Sequence, residues 1–124
     1  MEVNIKTIPH SEQRYKTVGD YWTEGDVLNI RVSEMGNREE EFLVALHELI
    51  ESHLVLKRGI SIESIDEFDK KYEALRPEGD VSEPGNSVGA PYFKEHQFAT
   101  CIEWLMAIEL GIDWNVHDKH VNSL

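Results

Sequence analysis

From Asn37 to Gly59 the chain carries one uninterrupted helix signal, and this stretch constrains the fold more than any other. Asn37 suits an N-cap, Glu40 stands three residues on in a capping-box arrangement, and Gly59 supplies the stop. The apolar pattern between them runs from Phe42 to Leu56. At about 100° per residue, Phe42, Leu46, Leu49, His53 and Leu56 form a central stripe, the face expected to pack on a core. A helix over 37–58 gains most of its stability by burying such a face, so a second layer must cover it.

The first 33 residues offer that layer. Val3 to Ile8 is a short, partly alternating run closed by Pro9, and Gln13 to Val18 is a weaker candidate strand ended by Gly19-Asp20. Val27 to Val32 is the best strand, with Leu28, Ile30 and Val32 on one face and Asn29 and Arg31 on the other. Glu24-Gly25-Asp26 before it is turn chemistry. Downstream, Ser61 caps a helix over 62–75, stapled by Ile60 and Ile65 and striped by Ile62, Ile65, Phe68, Tyr72 and Leu75. Residues 76–90 hold two prolines and three glycines and read as a loop, long enough to suggest a lid or a site wall. A further helix is expected over 91–110, with Pro91 in its first turn and Gly111 at its end, before a tail anchored by Ile112 and Trp114. The expectation is an α+β fold in a single domain over 1–124, a small N-terminal antiparallel sheet packed on three helices.

Charge narrows the function. Twelve Lys and Arg against 24 Asp and Glu give a net charge of −12, which repels phosphate backbones and anionic lipid and argues against nucleic-acid or membrane partners. A lone Cys101 excludes an internal disulfide, no apolar run reaches the roughly 20 residues of a membrane span, and the N-terminus lacks a secretory signal. A cytoplasmic location is expected.

The chemistry lies in His47-Glu48-Leu49-Ile50-Glu51-Ser52-His53. His47 and Glu51, one turn apart, project together from the edge of the stripe, and Glu48 lies about 60° beyond Glu51. His96 and Glu103 differ by only about 20° in projection and share a face with Tyr92, Ala99, Thr100, Ala107 and Leu110. Small residues there let a second helix approach. Two helices that each offer an imidazole and a carboxylate can assemble a His47, Glu51, His96, Glu103 site for zinc, iron or manganese. The same four groups can instead hydrogen-bond one another as a structural network. His53 is assigned to the core or to a hydrogen bond, as are Tyr21-Trp22 and Trp104 to the core, and Cys101 reads as a small packed residue. Glu109 and Glu39-Glu40-Glu41 read as solvated faces, and His10, His117 and His120 fit no ligand spacing.

Gly19-Asp20-Tyr21-Trp22, Ile30 to Gly36, Phe42 to Glu51 and Pro91-Tyr92 through His96 to Glu103 resemble a family of short phage and prophage proteins that has no established activity. The order of strand Val27–Val32 and then His47-Glu48 is also similar to the minimal zincin metallopeptidases, whose active helix carries His-Glu-x-x-His after an edge strand. That resemblance implies His47 as a metal ligand and Glu48 as general base towards water. Here Glu51 stands where the second histidine of that motif falls, and a carboxylate favours a harder metal such as manganese or iron. The leading expectation is a metal-dependent hydrolase acting on a small molecule or peptide. One alternative is a non-enzymatic phage or host interaction module, marked by an exposed apolar patch with no pocket beside His47 and His96. Another is a magnesium-dependent nucleoside-triphosphate pyrophosphohydrolase, because Glu48-x-x-Glu51 and Glu63-x-x-Asp66 look similar to its metal-binding pairs.

Overall fold

Alternating apolar residues make β3 (Val27–Ser33) the middle strand of a three-stranded sheet in the computed structural model, which describes residues 1–124. β2 (Gly19–Glu24) pairs with it antiparallel through a turn at Gly25, whose φ of 59° suits glycine. β1 (Glu2–Ile8) pairs on the other side in parallel, with Val3 opposite Leu28 and Ile5 opposite Ile30. The α+β class is as expected, but the sheet is mixed rather than antiparallel throughout. The connection explains this: residues 9–18 step past one strand position, and β3 folds back into the gap. Gln13 to Val18 therefore forms this crossing, not a strand. Gln13 Nε2 donates to Val18 O at 3.0 Å, and His10 Nδ1 lies 2.8 Å from Ser33 Oγ.

Helix α1 (Arg38–Lys57) starts where its cap predicts, with Asn37 Oδ1 accepting from the Glu39 and Glu40 amides. Its buried face is not the apolar stripe. Phe42 and Leu56 are 47% and 43% exposed and His53 is exposed, while Leu43, Val44, His47, Glu48, Glu51, Ser52 and Val55 are buried. His47 and Glu51 find partners on α3, which lets this face turn inwards despite its polarity. Val44 and Val55 join Leu28, Ile30 and Val32 of β3 in the core.

Helix α2 (Ile62–Ala74) follows from its Ser61 cap, and α3 (Phe93–Glu109) begins after Pro91 and Tyr92 have formed the preceding turn. α3 packs antiparallel along α1, so that Glu103 meets His47 and Glu95 meets Arg58. Like α1, it buries polar and small residues (Glu95, His96, Ala99, Glu103, Ala107). Trp104, expected in the core, is 46% exposed on its outer side, and Cys101, expected to be packed, is exposed. The tail is a fourth helix, α4 (Trp114–Asn122), capped by Asp113 through the Val116 amide at 3.0 Å. No helix is long and apolar enough to cross a membrane.

Candidate metal centre

Position 47 of α1 faces position 103 of α3, and position 51 faces position 96, because two antiparallel helices pair residues in opposite order. His47 Nε2 lies 3.4 Å from Glu51 Oε1 and 3.2 Å from His96 Nδ1, and His96 Nδ1 lies 2.9 Å from Glu51 Oε1. Three potential ligand atoms thus form a small triangle, and all three residues are buried. Ligand atoms held about 2.0–2.1 Å from one ion stand about 3.3 Å apart in a tetrahedron and about 2.9 Å apart as octahedral neighbours. The triangle has edges of that size.

Glu103, read from the sequence as a fourth ligand, lies behind His47. Its Oε1 accepts from Nδ1 at 2.8 Å, on the edge of the ring away from Glu51 and His96. This is the arrangement in which a carboxylate orients a ligating imidazole and fixes its tautomer. Glu48 is buried one residue along α1, against β2, where a Cβ on Gly19 would collide with its carboxyl. Gly85 plays the same part for His96: a Cβ there would fall 2.5 Å from Cγ of the ring. Gly85 sits in the short 3-10 turn Pro84–Asn86, so the 76–90 loop is a wall of the site, pressed on His96.

Electrostatics follow from burial and pairing. Burial alone pushes the His47 imidazole towards neutrality, but hydrogen bonds to Glu103 and Glu51, with the nearby Glu51 and Glu48 charges, raise its pKa well above the ordinary histidine value. Glu51 would be raised by burial, yet its bonds to His47 and His96 hold it at about 2. Glu103 is likewise lowered by His117 and His47 against its desolvation. Glu48 goes the other way, raised well above the ordinary carboxylate value by burial first and by the Glu51 charge second. Two neighbouring carboxyls with opposed shifts are a feature of acid–base sites.

The triangle lines an open cavity of about 870 Å³, walled by β2, α1, α2, α3, the 76–85 loop and the end of α4. A volume of that size accommodates a small organic molecule or a few residues of peptide. Across it, buried Asp69 accepts from Tyr92 at 2.6 Å and from Tyr15 at 3.0 Å, and burial raises its pKa to about 6. Two buried polar atoms in the walls have no protein partner, Tyr21 OH and His96 Nε2. Leaving such a group unpaired costs about 1–3 kcal/mol.

Sequence reading missed several of these positions. By sequence His117 and His120 fit no ligand spacing and Glu40 reads as a solvated face, yet His117 and Glu40 are buried and His120 bonds Glu40 at 2.8 Å. The available signal was the three-residue spacing of the two histidines after the Asp113 cap, which places both on one side of a helix. Gly19 and Gly85 gave no signal, because their role is the space they leave. Asp66 lines the cavity but is bound to Arg14 at 3.0 Å, and Glu63 is exposed outside it, so the Glu63-x-x-Asp66 pair is not brought together at the site. Comparison with protein-family models, with curated proteins and with solved structures finds no match to this chain.

Proposed function

We propose that the protein is a metal-dependent hydrolase in which His47, Glu51 and His96 hold a divalent cation and Glu48 serves as general base. The carrying observation is the triangle of ligand atoms, 2.9–3.4 Å on a side, at the wall of a cavity large enough for a substrate. Two imidazoles and a carboxylate form one of the three-ligand sets that catalytic zinc uses, and the same set serves iron. A bound cation would supply Lewis acidity and lower the pKa of water. Glu103 orients His47, Gly85 holds His96 in place, and Gly19 leaves Glu48 room beside the cavity. The substrate class is a small molecule or peptide.

The reading of these residues as a purely structural network is less favourable. A network retained for stability satisfies its members, whereas here His96 Nε2 and Tyr21 OH are buried without partners and Glu48 is buried with a raised pKa. Apolar side chains are exposed on α1 and α3, as an interaction module requires, but a cavity does lie beside His47 and His96.

The deciding experiment is elemental analysis by inductively coupled plasma mass spectrometry on protein purified without tag or chelator, alongside His47→Ala and Glu48→Gln. Near-stoichiometric metal is expected in the wild type and in Glu48→Gln, and none in His47→Ala. Turnover of a mixed peptide and ester panel should then be lost in Glu48→Gln alone of the two metal-containing proteins. Absence of metal from the wild type, even after incubation with zinc, manganese and iron, overturns the proposal.

A further inference from the structure

The polar chain continues past Glu103. While Glu103 Oε1 accepts from His47 Nδ1, its Oε2 accepts from His117 Nε2 at 2.7 Å. The other nitrogen of His117 donates to Glu40 Oε1 at 3.0 Å, and Glu40 Oε2 accepts from His120 Nδ1 at 2.8 Å. Imidazole and carboxylate alternate from the ligand triangle to the outer side of α4, crossing α3, α4 and α1. The side chain of His117 is 0% exposed and that of His120 is 35% exposed, so the chain begins in the interior and ends at solvent.

Its hydrogen-bond directions follow from chemistry when its carboxylates are ionised. Ionised carboxylates only accept, so His117, with a carboxylate at each ring nitrogen, donates from both. Glu103 Oε2 is then occupied, and Oε1 faces the Nδ1–H of His47. The proton of a neutral His47 belongs on Nδ1, leaving the Nε2 lone pair turned towards Glu51 and His96. Stability alone does not account for such a chain, since replacing buried ionic groups with well-packed apolar ones is often neutral or stabilising. Helix α4 could have been docked by apolar contacts.

We infer that Glu103, His117, Glu40 and His120 are positioning residues for His47, and that α4 is through them a working part of the cation site. The chain fixes which nitrogen His47 offers and the angle at which its ring is held. This inference rests on the assignment of His47, Glu51 and His96 as the cation site. Coupling is reciprocal: if the docked α4 raises cation affinity, a bound cation must hold α4 down by the same factor.

The test measures zinc affinity by competition with a chromophoric chelator for the wild type, Glu40→Gln and His117→Gln. Amide hydrogen exchange of the wild type, with and without zinc, accompanies it. Each variant should bind zinc about 10–100-fold more weakly, the usual effect of losing an outer-shell partner. Zinc should slow exchange in α4 more than in α2, which contributes nothing to the chain. The exchange comparison needs no variant, so it decides the matter even where a substitution prevents folding. Wild-type zinc affinity in both variants, or equal slowing in α2 and α4, overturns the inference while the cation site stands. A wild type that binds no zinc, manganese or iron overturns the cation site itself.

Discussion

Glu103 and Glu51 approach His47 from opposite edges of the same ring: Glu103 Oε1 is 2.8 Å from Nδ1, and Glu51 Oε1 is 3.4 Å from Nε2. The two carboxylates therefore have different work, although both meet the same imidazole. Glu51 shares the triangle with both histidines, whereas Glu103 is bonded to His47 and His117 and stands outside it. Substitution should separate them. Glu51→Gln removes a charged ligand and should abolish metal retention. Glu103→Gln removes the acceptor that orients His47 and should weaken metal binding by about 10–100-fold without abolishing it. Chelator competition on the two variants reads the difference. Equal affinity in Glu103→Gln and the wild type would show that the Nδ1 contact does not orient the ligand.

Metal binding should release protons at neutral pH. Hydrogen bonds to Glu103 and Glu51, outweighing burial, keep His47 protonated in the metal-free protein well above the ordinary histidine range. A ligating imidazole must give up the proton on the nitrogen that meets the cation. At pH 7 the binding of zinc should therefore release about one proton from His47, and more where the raised carboxyl of Glu48 also ionises beside the new positive charge. Calorimetric titrations in two buffers of different ionisation enthalpy give the count. A count of zero at pH 7 would mean that His47 is already neutral and that its pairing with Glu51 and Glu103 is weaker than the distances imply.

The framework of helices and strands was legible because it rests on local chemistry. Asn37, Ser61 and Gly59 mark helix ends through hydrogen bonds and backbone angles that need no distant partner, and β3 alternates along its own length. His47, Glu51 and His96 were legible because helical spacing puts His47 and Glu51 on one side of a turn. The inward face of α1 was not legible from hydropathy. Phe42, Leu46, Leu49, His53 and Leu56 form the more apolar stripe, but the buried side carries His47, Glu48 and Glu51, and the desolvation of His47 and Glu51 is offset by partners more than forty residues away in sequence. The role of Glu103 was invisible for a related reason: spacing places a carboxylate near a histidine but does not say which nitrogen it meets.

The metal-free protein should be most stable in mildly acidic solution. His47 and His117 have folded pKa values raised above 6.5, so the stability they contribute is full below that value and is lost as pH rises through the folded values. Asp69, raised from 3.8 to about 6 chiefly by burial, acts in the same direction: its contribution is full below about 4 and is lost as pH passes about 6. Glu51 and Glu103 are lowered from 4.5 and act oppositely, their contribution being lost as pH falls, for Glu51 through about 2. Urea unfolding in the presence of a chelator should give a maximum near pH 5 and a decline towards pH 9. Asp69→Asn should flatten the part of that decline between pH 5 and 7. Stability that rises steadily from pH 5 to 9 would contradict the burial of these groups in charged pairs.

Two glycines offer a test that leaves every polar group in place. Neither Gly19 nor Gly85 has the positive φ that excludes other residues, so alanine can adopt both backbones and only the added methyl group matters. At Gly85 the methyl meets the His96 ring, with Cγ at 2.5 Å and Nδ1 at 2.7 Å, and must push one ligand out of the triangle. At Gly19 it meets the Glu48 carboxyl, with Cγ at 2.7 Å, and leaves His47, Glu51 and His96 untouched. Overpacking of this kind costs about 1–3 kcal/mol, so both variants should fold with lowered midpoints in thermal unfolding. Their metal contents should differ: Gly85→Ala should lose the cation, and Gly19→Ala should keep it at wild-type stoichiometry while losing the activity that needs Glu48. Elemental analysis of the two variants side by side reads this directly. Full metal in Gly85→Ala would mean that His96 can leave the triangle without consequence, and the cation would then have to be held by α1 alone.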